Sequence, residues 1–150
     1  MLSIFLREDL KQPLSKKNLE TTIDLNASGD IIGVEIEAPQ YIFGPSALEG
    51  LEFIDLAKLS SDRTKTPKGR QLSLHAQHRP PLQQQTSYWI SYDKTCDMMY
   101  VSVASYVPPQ KQRYAISIPV DCFFYLDHRN RIHRIDIPLD EVQKGRALYY

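Results

Sequence analysis

Apolar and polar residues alternate along much of this chain with the two-residue period of strands that bury one face. Residues 2 to 6 (Leu-Ser-Ile-Phe-Leu) are apolar and β-capable, and Thr21-Thr22-Ile23-Asp24-Leu25 alternates cleanly. Between them the polar stretch Arg7 to Glu20, with Pro13 inside it, reads as a loop. A turn at Asn26-Ala27-Ser28-Gly29 leads into a strand ending at Ile36, and Gly29 supplies the left-handed backbone that short hairpins often need. Further strands are predicted at 88–92, 98–106, 114–118, 122–126 and 131–137. A helix is expected from Ser46 to about Ser60-Ser61, because Ser46-Ala47-Leu48-Glu49 has the spacing of a capping box. Leu48, Leu51, Phe53, Ile54, Leu56, Ala57 and Leu59 would give that helix a broad apolar stripe, at the cost of Gly50 in its first turns. Leu139-Asp140-Glu141-Val142 is a candidate start of a second, short helix that Gly145 weakens.

The pattern also repeats. Leu25-Asn26-Ala27-Ser28-Gly29-Asp30-Ile31-Ile32-Gly33-Val34-Glu35-Ile36 is echoed at a constant offset by Leu126-Asp127-His128-Arg129-Asn130-Arg131-Ile132-His133-Arg134-Ile135-Asp136-Ile137. Asn130 takes the place of Gly29, and asparagine is the next residue most tolerant of a left-handed turn. Upstream, Met1 to Leu6 resembles Met98 to Val103, with a longer spacer to the hairpin in the second copy. Val34 and Ile36 match Ile135 and Ile137 on the face expected to meet the core, while Glu35 and Asp136 recur on the other face. The repeat implies an architecture: a mainly antiparallel α+β domain of two related β-units with pseudo-twofold symmetry. Residues 1–61 form the first unit plus its helix, 62–86 a polar crossover, and 87–150 the second unit, all in one compact body.

Composition narrows the range of functions. Lys plus Arg equals Asp plus Glu at 18 each, which removes the basic bias of a dedicated nucleic-acid binder. An apolar fraction of 42% with 24% charged residues argues against wholesale disorder. Cys96 and Cys122 are too few and too far apart for a disulfide scaffold or a zinc framework and read as free thiols. Arg7, Glu8 and Asp9 cut short the apolar start, and no run is long enough to span a bilayer, so a cytoplasmic protein with no membrane contact is the expectation.

Tyr92-Asp93-Lys94-Thr95-Cys96-Asp97-Met98-Met99-Tyr100-Val101-Ser102-Val103 resembles the opening of the small bacterial and phage family known as domain of unknown function 2283. Asp24 to Ile36, with Gly33-Val34-Glu35-Ile36, resembles that family's ending. The first copy lacks the tyrosine-aspartate opening, and the second replaces the glycine and glutamate of its last strand with Arg134 and Asp136. The resemblance covers about half of each copy. It implies a small β-rich unit and, from the toxin-like genes that often neighbour such proteins, an antitoxin or other partner-binding role.

Candidate chemistry is sparse. Asp93, Asp97, Glu35 and Asp136 are the one set that could support acid-base work, and the simpler role of Asp93 and Asp97 is to shape the turn before a strand. His75, His78, His128 and His133 lack metal-site spacing. His128, Arg129, Arg131, His133 and Arg134 put positive charge on the second hairpin alone, where the first has Ala27, Ser28, Asp30, Ile32 and Gly33. The expectation is a non-catalytic protein-binding module, such as an antitoxin, immunity-type inhibitor or assembly factor, contacting its partner through His128, Arg129, Arg131 and Arg134. It carries no catalytic residue, metal or cofactor in this reading, and a homo-oligomer is compatible with it. The alternatives are a nucleic-acid binder using the basic hairpin 128–134 and its neighbouring aromatics, and an enzyme using the acidic cluster.

Overall fold

A computed structural model describes residues 1–7, 15–54, 70–74, 84–103 and 114–149. Among these residues the strands are β1 (Leu2–Phe5), β2 (Ser15–Asn26), β3 (Ile31–Glu37), β4 (Arg70–Leu74), β5 (Gln84–Asp93), β6 (Met98–Ser102), β7 (Tyr114–Leu126) and β8 (Ile132–Ile137). Two helices accompany them, α1 (Pro39–Phe43) and α2 (Leu139–Tyr149). The strands lie side by side in the order β1-β8-β7-β2-β3-β6-β5-β4, every neighbouring pair antiparallel. β4 pairs only with the first half of β5. It also lies near β1, so the sheet curls until its two ends approach.

The middle of the sheet is the long pairing of β2 with β7, from Ser15 opposite Leu126 to Leu25 opposite Ile116. Alternate residues Ile23, Leu25, Ile118, Val120, Cys122, Phe124 and Leu126 are buried on one face. Val34, Ile36, Ile135 and Ile137 join them there with no exposed surface, as their alternation predicts. The helices cover this same face: the Phe43 and Phe124 rings lie 5.2 Å apart, and Val142 is buried in the core. Gly145 lets α2 lie close on β7: a Cβ there would sit 2.9 Å from Ile118 Cδ1, and the end of that side chain would have to shift.

Several elements differ from the sequence expectation. Ser15 to Glu20 is strand and not loop: its polar residues have no core to face, but β7 supplies a complete backbone partner. Residues 114–126 form one strand through Pro119. β8 covers only Phe123 to Leu126, so beside Pro119 the strand has one paired neighbour and the missing N–H costs little. Part of the expected crossover, Arg70–Leu74 and Gln84 onward, is strand. The rest of 62–86, including His75 and His78, lies outside the described residues, as does the expected strand end at 104–106.

The largest correction concerns the helix expected from Ser46. Residues 45–50 instead form a series of turns, closed by bonds from Ala47 N to Gly44 O (3.2 Å), Glu49 N to Ser46 O (3.1 Å) and Leu51 N to Leu48 O (3.2 Å). The continuation of that helix beyond Ile54 lies outside the described residues. The helix that does follow β3 is the short α1, seven residues earlier. Arg7, only 8% exposed as a residue, accounts for the difference through its guanidinium. Its Nε donates to Ile132 O (3.0 Å), its Nη2 to Ala47 O (3.4 Å) and its Nη1 to Glu49 O. Ile132 N donates to Ala47 O as well, at 3.0 Å. Carbonyls that a helix would use internally are thus turned toward Arg7 and β8, and Gly50 adopts a left-handed φ of 77°.

Replacing Arg7 with Met keeps the stem and removes every donor. We expect a loss of about 3 kcal/mol in urea unfolding, since buried carbonyls lose their charged partner. A loss below about 0.5 kcal/mol would show that the turn is held by its apolar side chains alone.

Candidate functional site

The two hairpin turns are built alike. Asn26 Oδ1 accepts from Ser28 N (3.0 Å) and Asp30 N (2.9 Å), and Asp127 Oδ1 accepts from Arg129 N (2.8 Å) and Arg131 N (3.0 Å). Gly29 and Asn130 take the left-handed φ values of 82° and 60° that the sequence assigns them. In the second hairpin the carboxylate does more: Asp127 Oδ2 lies 2.7 Å from both Arg131 Nε and His133 Nε2. Burial opposes ionisation of Asp127. The bonds from His133, from the Arg131 and Arg129 backbone and from the Arg131 side chain outweigh it and hold the carboxyl well below the usual carboxylate range.

These contacts consume most of the positive charge expected on this hairpin. Arg131 is paired with Asp127, and Arg129 Nη2 lies 2.8 Å from Glu49 Oε1. His128 is exposed at the turn. Arg134 is not part of this group. It lies on the polar face of the sheet, its guanidinium 3.9 Å over the Tyr125 ring and 5.7 Å from the Phe5 ring, with Nε 3.1 Å from Asp136 Oδ1. His128, Arg129, Arg131 and Arg134 therefore occupy two separate places.

The acidic set is dispersed as well. Asp93 accepts from Thr95 N (2.9 Å) and Thr95 Oγ1 (2.6 Å), a local turn. Asp97, itself left-handed at φ 49°, accepts from Tyr92 Oη (2.5 Å), Gln40 N (3.3 Å) and Tyr41 N (3.0 Å), so its carboxylate meets free amides at the start of α1. Tyr92 is pushed up to about 12 by desolvation and by its bond to Asp97. Asp136 belongs with Arg134, and Glu35 lies on a different strand pair.

Glu35 instead adjoins Asp24, a residue that reading the chain as separate strands left unnoticed. The β2–β3 register places Asp24 opposite Gly33, and the β2–β7 register places it opposite Ser117, whose Oγ donates to Asp24 Oδ1 at 2.5 Å. Gly33 faces Ser102 on β6, so Ser117, Asp24, Gly33 and Ser102 form one row across the polar face. Tyr100 leans over Gly33: a Cβ there would lie 2.0 Å from the Tyr100 hydroxyl. Asp24 and Ser102 are 6% and 5% exposed. Burial, the charge of Asp24 and a hydrogen bond to it raise Glu35 to about 7. The local signal was present in the alternation of Asp24, Gly33 and Glu35, but the partners Ser117 and Tyr100 come from strands distant in sequence.

A second row, on the other half of the sheet, has opposite character. Lys16 lies opposite Tyr125, Tyr125 opposite Arg134, and Arg134 opposite Phe5. Lys16 Nζ sits 4.2 Å over the Phe123 ring and 6.0 Å from that of Tyr125. Phe5, Phe123, Tyr125 and Arg134 are half-buried, and Lys16 is exposed.

Among the described residues no cluster of His, Cys, Asp and Glu could hold a metal ion. Cys122 is buried 3.0 Å from Thr21 Oγ1, and burial pushes its thiol up to about 11, away from the thiolate a nucleophile needs. No described helix is long and apolar enough to cross a membrane. Comparison with protein-family models, curated proteins and solved structures finds no match to this chain.

Two outcomes test this geometry. A carboxyl raised from 4.5 to about 7 holds its proton more tightly in the folded state, so its contribution to stability is full below 4.5 and is lost as pH rises through 7. The melting temperature of Glu35→Gln, relative to the native chain, should therefore rise between about pH 5 and about pH 8. A constant difference would contradict the buried pair. Gly33→Ala should cost about 1–2 kcal/mol by displacing Tyr100, and much less in a Tyr100→Ala background. Equal costs in both backgrounds would remove Tyr100 as the reason for the glycine.

Proposed function

We propose that this chain is a non-catalytic protein-binding module of two related β-units arranged about a pseudo-twofold axis, with its partner surface on the half of the sheet that carries the second hairpin. The registers support the symmetry. β1 lies on β8 with Ile4 opposite Ile135, and β6 lies on β3 with the corresponding Val101 opposite Val34. Leu6 N donates to His133 O (2.8 Å), and the corresponding Val103 N donates to Ile32 O (3.1 Å). Both hairpins carry a register shift at matching places, between Asp24 and Leu25 and between Tyr125 and Leu126. Glu20 and Asp121, corresponding residues, face one another at the point where the axis would pass. A duplicated and fused unit of this kind takes the place of a homodimer and frees its halves to diverge.

The observation that carries the functional reading is where they diverge. Ser117, Asp24, Gly33 and Ser102 correspond to Lys16, Tyr125, Arg134 and Phe5. The first row is closed by Tyr100 and largely buried, whereas the second keeps two cations and half-exposed aromatic rings on the surface, the composition of a recognition patch. The segments similar to domain of unknown function 2283 point the same way, toward an antitoxin, immunity-type inhibitor or assembly factor. The nucleic-acid reading loses support because Arg129 and Arg131, on the hairpin that motivated it, are held by Glu49 and Asp127.

The test is affinity capture of the tagged chain from its native host after mild crosslinking, in parallel with a Tyr125→Ala/Arg134→Ala variant. One protein recovered in stoichiometric amount by the native chain and lost with the variant is the expected result. Recovery of no protein, or of nucleic acid alone, would overturn the proposal.

A further inference from the structure

We infer that the Lys16–Tyr125–Arg134 row is a docking site for an extended acidic protein segment, which the two cations grip through its carboxylates. This rests on the binding-module reading and names the chemistry of the partner. Lys16 makes no ion pair among the described residues; its ammonium group is held on the Phe123 ring and remains exposed. Arg134 has its Nε edge turned to the Asp136 carboxylate, an ion pair by distance without hydrogen-bond alignment, and its face on Tyr125, while its two terminal nitrogens bond to no described residue. That leaves the end of a planar fork, the edge that takes a carboxylate through two parallel bonds. The Tyr125 ring carries the guanidinium face and the Asp136 charge lies beside it, so part of the side-chain freedom is already lost before binding.

Lys16 and Arg134 lie two strands apart, a separation of about 10 Å. Two carboxylates on the same side of an extended segment lie about 7 Å apart, and the flexible lysine stem covers the difference. Carboxylate recognition fits better than nucleic-acid binding for two reasons. Phe123 and Tyr125 already carry a cation over the ring face, so a base would have to displace Lys16 or Arg134 to stack. Glu20 and Asp121, exposed and opposite each other on the same polar face, would repel a continuous phosphate backbone crossing the middle of the sheet.

The experiment is fluorescence anisotropy of a labelled peptide of alternating Glu and Ala, and of a labelled oligothymidylate of equal charge, titrated with the full chain. We expect the peptide to bind in a salt-dependent manner and the oligothymidylate to bind more weakly. Arg134→Gln and Lys16→Glu should each weaken the peptide about tenfold. Arg129→Gln, whose cation is engaged by Glu49, should change it less than about twofold. Lys16→Glu protects the test against misfolding, because Lys16 is exposed and its only described contacts are with ring faces. No peptide binding, equal loss with Arg129→Gln, or tighter binding of the oligothymidylate would each overturn the inference. A host protein that is captured by the native chain, lost with the Tyr125→Ala/Arg134→Ala variant and contacts this row through a segment without carboxylates would overturn it too, while leaving the binding-module reading intact.

Discussion

The antiparallel pairing of β2 with β7 sets the position of everything else in this molecule. Twelve residue pairs join the two strands. On one side of this ladder alternate side chains form the core, and a slip of β2 by one residue would turn Ile23 and Leu25 to the polar face while Ile118, Val120 and Phe124 kept theirs. Because each of the two strands also belongs to a hairpin, fixing their register fixes β3 and β8, and through them β6 and β1. The polar face inherits its rows from the same constraint. Asp24 meets Ser117, and Lys16 meets Tyr125, only because residues far apart in the chain are set opposite one another at the centre of the sheet.

The hairpins illustrate how burial redistributes charge that looks free in a sequence. Five residues from His128 to Arg134 are basic or titratable, yet the acceptors Asp127, Glu49 and Asp136 engage four of them. Asp127 is the strongest of these acceptors, since it satisfies two turn amides and two side chains at once. Lys16 stays available on an aromatic ring of the sheet, where the attraction of a ring quadrupole holds a charge without neutralising it, and Arg134, though beside Asp136, keeps its terminal nitrogens free of described partners.

What could be read from the sequence was local and periodic. The alternation at Val34, Ile36, Ile135 and Ile137 located the core face, and Gly29 and Asn130 located the turns, because both depend on residues within one hairpin. The helix at Ser46 failed for the opposite reason: Arg7, distant in sequence, takes over the carbonyls of Ala47 and Glu49. Ser15 to Glu20 looked like a loop because strand propensity is weak in a polar segment, and only the β7 backbone makes it a strand. The carboxylate pair of Asp24 and Glu35 was half legible, and the cation-aromatic row was not legible at all, since Lys16, Tyr125, Arg134 and Phe5 come from four strands.

The pairing of β1 with β8 has a consequence for how the chain folds. β1 closes on β8, with Leu2 opposite Ile137, so among the described strands its hydrogen-bonding neighbour is made after all the others. Until then Ile4 and Leu6, which are fully buried in the finished protein, have no β8 to lie against, and the nascent chain carries an apolar strand with an open edge. Contacts of such long sequence separation slow folding by deferring its rewards until the loop between them has closed. A sheet of this topology is complete only after β8 has been made, so the apolar face of β1 is covered late in folding.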